Sequence, residues 1–362
     1  MASSATISPA ATSGTRDRLI DGYRAVAVLC VVASHSIEYR FELSRLVSIR
    51  FSKVSQPLAE MGVQLFFVIS GYIITTLLLR EETKRRRISI PAFYIRRFFR
   101  ILPPLFAYLG ALLLLRWTEV IDFDPSIVRN SALFTCNTGL TRCGWWVTHT
   151  WSLAVEEQFY LAWPLLLALL PPARRAAFLL VLIGVLLGGL ILVRYHWHNN
   201  WISFSCIASG ALYALSPRYR QVIRARAGYG GWLLACFLFG LGPALYFKPL
   251  LVLTPFLITF ILFSARELPV IVRLLTLPPL QAVGLCSYSL YLWQQLFLAR
   301  PSRYIEMLPL AGLPLVVAAS YFLVEKPCAR LGHRLSARVQ GRRSPVSSSG
   351  LSQQPPEDAT AR

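Results

Sequence analysis

At 362 residues, 55% hydrophobic and with a mean hydropathy of +0.52, the chain reads as a polytopic membrane protein, which excludes a soluble globular enzyme. Its apolar runs are continuous and do not alternate, so a transmembrane β-barrel is excluded as well. The formal charge of +20 would suit a nucleic-acid partner, but 26 of the 37 Lys and Arg fall in segments that positive-inside counting assigns to the cytosol, so the excess reports topology and anionic-lipid contact instead.

Residues 1–17 read as a disordered tail of Ala, Ser and Thr. Ten hydrophobic windows follow, at about 19–39, 61–80, 98–116, 151–170, 176–193, 202–216, 231–247, 249–265, 281–299 and 308–325. They predict an all-α transmembrane bundle of about ten spans, with both termini cytosolic. Several windows fall short of the ~20 residues a straight span needs, and the sixth could instead be re-entrant. The transmembrane domain covers 18–332, and 333–362 is a basic and then disordered tail. The first window is a span rather than a signal peptide, because Asp21 and Arg24 stand in its first turns and no convincing cleavage site follows.

Within that span Asp21 and Arg24 can pair at i, i+3, which reduces the cost of burying the guanidinium. Eleven residues on from Arg24 stands His35, on nearly the same helix face and ~16 Å further along the axis. The third span opens with Phe93-Tyr94-Ile95-Arg96-Arg97-Phe98-Phe99-Arg100. Arg97 and Arg100 either form a fork for phosphate or simply anchor topology, as Arg85, Arg86 and Arg87 do.

The external loop 117–150 carries Cys136 and Cys143, with Gly139 between them to help the chain turn, and they form either a short disulfide or two free thiols. Cys30, Cys206, Cys236 and Cys286 lie in apolar spans as packing, and Cys328 is a cytosolic thiol. No metal site is expected, since His196 and His198 have no third ligand nearby.

The fourth span, Trp151 to Pro164 and beyond, holds Glu156 and Glu157 in an otherwise apolar helix. An ionised carboxylate at mid-membrane costs at least ~2.5–3.5 kcal/mol, so such a group faces a protein interior and serves a function. The alternative is a solvated acid at the membrane surface, which fits Glu157 more easily than Glu156. Glu156 and His35 both fall near the external ends of their spans, and an imidazole beside a carboxylate is the arrangement of a general base. A lone interfacial histidine is the other reading.

Six segments in order now resemble a known family. They are Leu19-Ile20-Asp21-Gly22-Tyr23-Arg24 with His35; Gly62 to Ile73, containing Ser70-Gly71-Tyr72; Phe93 to Pro103; Thr150 to Tyr160; Ser287-Tyr288-Ser289-Leu290-Tyr291-Leu292-Trp293-Gln294-Gln295; and Glu325-Lys326-Pro327. Together they resemble the membrane-bound acyltransferase family 3, bacterial enzymes that move acyl groups from acyl-CoA onto sugars of polysaccharides and glycolipids. No SGNH-type hydrolase domain is visible, so the stand-alone form is expected.

The resemblance implies His35 as the catalytic histidine, Arg24 as its intramembrane basic partner and Glu156 as the acid of the fourth-span motif. It also implies that Arg97 and Arg100 hold the phosphates of coenzyme A at the cytosolic mouth. Ser70, Gly71 and Tyr72 match a segment whose small residues would let the donor's pantetheine arm approach a helix. Two positions depart from the pattern: Ala25 stands where a second glycine is usual, and Gln294, where histidine is frequent, can hydrogen-bond but cannot take a proton.

The expected function is therefore acyl transfer, acetyl above all, from cytosolic acyl-CoA as co-substrate to a sugar hydroxyl, with no permanently bound cofactor. The acyl group would be threaded through the bundle of an inner-membrane protein for direct attack, with a covalent acyl-histidine as the other route. A proton-coupled transporter using His35, Glu156 and Arg24 as a relay is the competing class, but it would show an inverted repeat, and none is visible. A lipid-binding scaffold would leave the intramembrane polar groups unexplained.

Overall fold

A computed structural model describes residues 17–37, 52–192, 198–245, 248–298 and 311–341. His196 and the outer parts of both expected tails lie outside the described residues. Those described are almost entirely helical, with no strand among them. In chain order the helices are α1 (Arg18–His35), α2 (Ser52–Arg85), α3 (Ile90–Trp117), α4 (Ser126–Ala132), α5 (Trp145–Thr148), α6 (Thr150–Leu169), α7 (Pro172–Leu192) and α8 (His198–Leu215). There follow α9 (Pro217–Ala225), α10 (Tyr229–Leu245), α11 (Lys248–Ser264), α12 (Pro269–Leu275), α13 (Pro278–Leu285), α14 (Ser287–Phe297), α15 (Gly312–Ala319) and α16 (Lys326–Gly341). By length and composition, five helical stretches among the described residues could cross a membrane: Pro57–Arg85, Ile90–Trp117, Pro172–Leu192, Pro249–Glu267 and Gly312–Gln340.

Two features depart from the expected layout. The ninth window is not one helix: Cys286 leaves helical geometry at φ −94°, ψ 14°, and separates α13 from α14. There its thiol turns back to the Ala282 carbonyl at 3.3 Å. At the other end of the domain, a π-helical segment, Ser320–Glu325, joins α15 to α16 without a break, so the boundary drawn at 332 falls inside a helix.

The centre of the bundle is the packing of α2 against α1 and α8. At the α2–α8 crossing, a methyl group on Gly71 would collide with the Ile207 carbonyl, and one on Gly210 with that of Val68. The two glycines thus let the backbones approach closely, the small-residue packing on which helix association in lipid depends. Several buried polar groups pair between helices, as where Trp163 Nε1 donates to Thr75 Oγ1 at 2.9 Å.

The first turns of α3 are held from three sides by Glu81. Its carboxylate accepts from the Ser89 backbone N–H at 3.0 Å, from Arg96 at 2.9 Å and from Gln340 of α16 at 2.9 Å. Its neighbour Glu82 takes a two-pronged bond from Arg175 of α7, at 2.6 and 2.8 Å. The far end of α3 meets the loop in which Cys136 and Cys143 are disulfide-bonded, with a Cα separation of 5.6 Å. That resolves the alternative left open by the sequence.

Candidate functional site

The polar residues inside the bundle gather at two levels. The first level is a cavity of about 850 Å³, part of it open to solvent, to which α1, α2, α3, α6 and α14 each contribute. Arg24, Ser70, Arg97, Arg100 and Glu156 all line it, so five of the eight anticipated site residues share one space. Helical spacing puts them there: Arg97 and Arg100 lie one turn apart on α3, and Glu156 and Tyr160 one turn apart on α6.

Glu156 is held by two hydroxyls, Ser70 at 2.7 Å and Tyr160 at 3.1 Å. Arg97 lies over the Tyr160 ring with its guanidinium carbon 4.9 Å from the centroid, a cation–π contact that aims it at the cavity. Arg24 stands 3.9 Å from Asp21, the pairing anticipated from the i, i+3 spacing. Ser287 at the start of α14 also lines the cavity; its hydroxyl is fully buried and has no hydrogen-bond partner among the described residues.

The second level is built around His35. Its Nδ1 lies 2.9 Å from Oε1 of Gln294. A carbonyl oxygen only accepts, so Nδ1 is the donor, and in the neutral ring this leaves the lone pair of a base on Nε2. The Trp145 ring packs edge-on against the imidazole at 6.2 Å, and Gln295 Nε2 donates to the Trp145 carbonyl at 3.0 Å. Nearby, His149 is buried between the rings of Tyr108 and Tyr291, at 5.6 and 5.5 Å. Tyr291 ties the two levels together, donating to the His149 carbonyl at 2.6 Å while its oxygen lies 2.7 Å from Ser152 Oγ.

Two expectations are corrected here and one alternative is closed. The pairing of His35 with Glu156 is replaced by two separate contacts, His35 with Gln294 and Glu156 with Ser70 and Tyr160. The reason is depth: His149, at the start of α6, is the residue level with His35, and Glu156 follows seven positions later, roughly 10 Å further in. Secondly, only Ser70 of the Ser70-Gly71-Tyr72 segment faces the cavity. Successive helical residues point about 100° apart, so Gly71 is spent on α8 and Tyr72 stacks edge-on against Phe263 at 4.7 Å. Thirdly, Glu157 is not a solvated surface acid, since its Oε1 is buried without a hydrogen-bond partner among the described residues.

Tyr160, Tyr291, Ser287 and His149 escaped the sequence. Tyr160 could have been found, because it sits at i+4 from Glu156 on the same face. Nothing in the sequence marks the helix break that turns Ser287 inward.

A family model described as an acyltransferase domain matches residues 17–324. Among curated proteins, the chain is similar to peptidoglycan O-acetyltransferase OatA of Listeria monocytogenes, 25% identical over 86% of this chain and 56% of that protein. It is also similar to O-acetyltransferase OatA of Staphylococcus aureus, 23% identical over 90% of this chain and 59% of that protein. The chain therefore spans little more than half the length of these relatives. No solved structure matches.

Proposed function

The chain belongs to the acyltransferase family whose domain model it matches, and from that membership we propose that it is an integral-membrane O-acyltransferase. It moves an acyl group, most simply acetyl, from cytosolic acyl-CoA to a sugar hydroxyl of a cell-surface polysaccharide or glycolipid. The names of the relatives, one of which acts on peptidoglycan, support a sugar-containing acceptor. In this reading the bundle crosses a bacterial inner membrane about ten times, with both termini in the cytosol.

The observation that carries the reading is the separation of the two levels. The cavity for an anionic donor runs from Arg24, ~16 Å from His35 along α1, to Tyr291, which is bonded to the His149 carbonyl beside the His35 level. Arg97 and Arg100 hold coenzyme A phosphates from the cytosolic side, and Arg24 joins them there instead of acting on His35. Glu156, oriented by Ser70 and Tyr160, balances the arginines. The pantetheine arm then carries the thioester outward to His35.

His35 Nε2 takes the proton of the acceptor hydroxyl as that oxygen attacks the thioester carbonyl. The carbon–sulfur bond breaks, and the imidazolium returns its proton to the departing coenzyme A thiolate. Gln294 keeps Nδ1 protonated throughout.

Membranes containing the protein, incubated with radiolabelled acetyl-CoA and a panel of bacterial glycans, should transfer label to glycan. The His35→Ala variant at equal abundance should transfer none. Near wild-type labelling by that variant would end the assignment of His35 as the base.

A further inference from the structure

The break at Cys286 points the N-terminus of α14 into the arginine-lined cavity. Cys286 gives this eleven-residue helix no side-chain cap, and Glu325 meets its first turn through Ser289 at 2.7 Å. A helix start carries unpaired N–H groups and roughly half a positive charge, and both favour an anion. Its first residue, Ser287, is fully buried and lines the cavity, yet its hydroxyl has no partner among the described residues. Buried hydroxyls are nearly always hydrogen-bonded, so this one on the cavity wall is open to a ligand oxygen.

Two cations, Arg24 and Arg100, line the same cavity as Ser287. Among the described residues Arg100 forms no ion pair, and Arg24 meets Asp21 only at 3.9 Å. Glu325, bonded to Ser289 at 2.7 Å, and Glu156, bonded to Ser70 and Tyr160, also stand near Arg24 and share its charge. A phosphate beside Ser287 would thus meet two guanidiniums, which form strong charge-assisted bonds to phosphate oxygens.

We propose that Ser287 and the N-terminus of α14 form, with Arg24 and Arg100, a buried phosphate site inside the bundle. Resting on the acyl-CoA reading above, the site takes the phosphate joined to the pantetheine arm, while Arg97, one turn nearer the α2–α3 end, serves the outer phosphates. The spacing fits this occupant. Arg24 lies ~16 Å from His35 along α1, and Ser287 lies ~10 Å from Gln294 along α14. At standard bond lengths, an extended phosphopantetheine arm reaches about 15 Å from phosphate to sulfur. A phosphate seated at Ser287 therefore delivers its thioester to His35.

The same chemistry could serve a lipid-borne phosphate entering from the bilayer, so the test separates the two sources. Purified protein in dodecyl maltoside, which carries no phosphate, is titrated with coenzyme A, 4′-phosphopantetheine and pantetheine. The Ser287→Ala variant loses only a hydroxyl without a partner among the described residues, and unchanged thermal stability verifies that it folds. It should bind coenzyme A and phosphopantetheine about tenfold more weakly, the scale of one hydrogen bond to a charged group, and bind pantetheine as the wild type does. Ser287→Cys, a weaker donor of similar size, should fall between.

Equal coenzyme A affinity in wild type and Ser287→Ala would overturn this site while leaving the donor assignment standing. Equal losses for all three ligands, pantetheine included, would reduce Ser287 to a shaping residue and overturn it too. Failure of the wild type to bind coenzyme A would bring down the donor reading and this inference together. Competition by a short-chain polyprenyl phosphate, present in wild type and absent in Ser287→Ala, would give the site to a lipid phosphate and overturn the coenzyme A occupant.

Discussion

A histidine can serve as a general base only if the proton it already carries is kept out of the way. On the proposed function Gln294 does this for His35, with its Oε1 2.9 Å from Nδ1 across 259 residues of sequence. An amide holds the tautomer but adds no charge, unlike the carboxylate of a catalytic triad. Gln294→Ala should therefore lower kcat by about 10²-fold and leave the KM for acyl-CoA nearly unchanged, as loss of an interaction felt only in the transition state does. Steady-state kinetics on reconstituted protein would check this, and a raised KM with kcat intact would instead make Gln294 part of donor binding. His35 itself was legible in the sequence through its shared face with Arg24. Its partner was not, because residue type told what Gln294 cannot do, and only the packing of α1 on α14 brings the two together.

Helical period carried the arginine pair from sequence to structure. Arg97 and Arg100 were expected on one side of the third span, and α3 turns both into the cavity. What the period could not supply is the clamp that fixes α3: Glu81 binds the Ser89 N–H, Arg96 and Gln340 together. On the proposed function, Arg97→Ala or Arg100→Ala should weaken acyl-CoA binding by roughly 1.5–3 kcal/mol, the range for hydrogen bonds to charged groups. Lysine at either position should restore binding only in part, because the planar fork is lost. Joint replacement of Arg85 and Arg86, which lie outside the cavity lining, should disturb membrane insertion and leave affinity unchanged. Titration with acyl-CoA distinguishes these outcomes, and equal losses from both sets would reduce the clamp to a general basic surface. Gly71 shows the converse limit of sequence: a glycine beside a lining serine looks like part of the site, but the close approach it permits is to α8.

Across the whole molecule, hydropathy located the helices and left their arrangement open, because apolar periodicity says which segments are buried and not against what. The kink at Cys286 and the continuous helix from α15 into α16 are both products of packing. The arrangement separates two ends that differ in chemistry. The Glu81 cluster, α16 and Cys328 lie at the end where α3 starts, and the Cys136–Cys143 disulfide lies with Trp145 and His35 at the other. Disulfides persist in oxidising compartments, and Lys and Arg concentrate on the cytosolic side, so both rules give the same orientation. In spheroplasts, an impermeant maleimide should label Cys136 and Cys143 after a pulse of reductant, label them poorly without it, and leave Cys328 unmodified throughout. Mass spectrometry of the labelled peptides reads each cysteine separately. Preferential labelling of Cys328 would invert the molecule, leaving Arg97 and Arg100 facing a compartment without acyl-CoA, and the donor site could not then be where the arginines are.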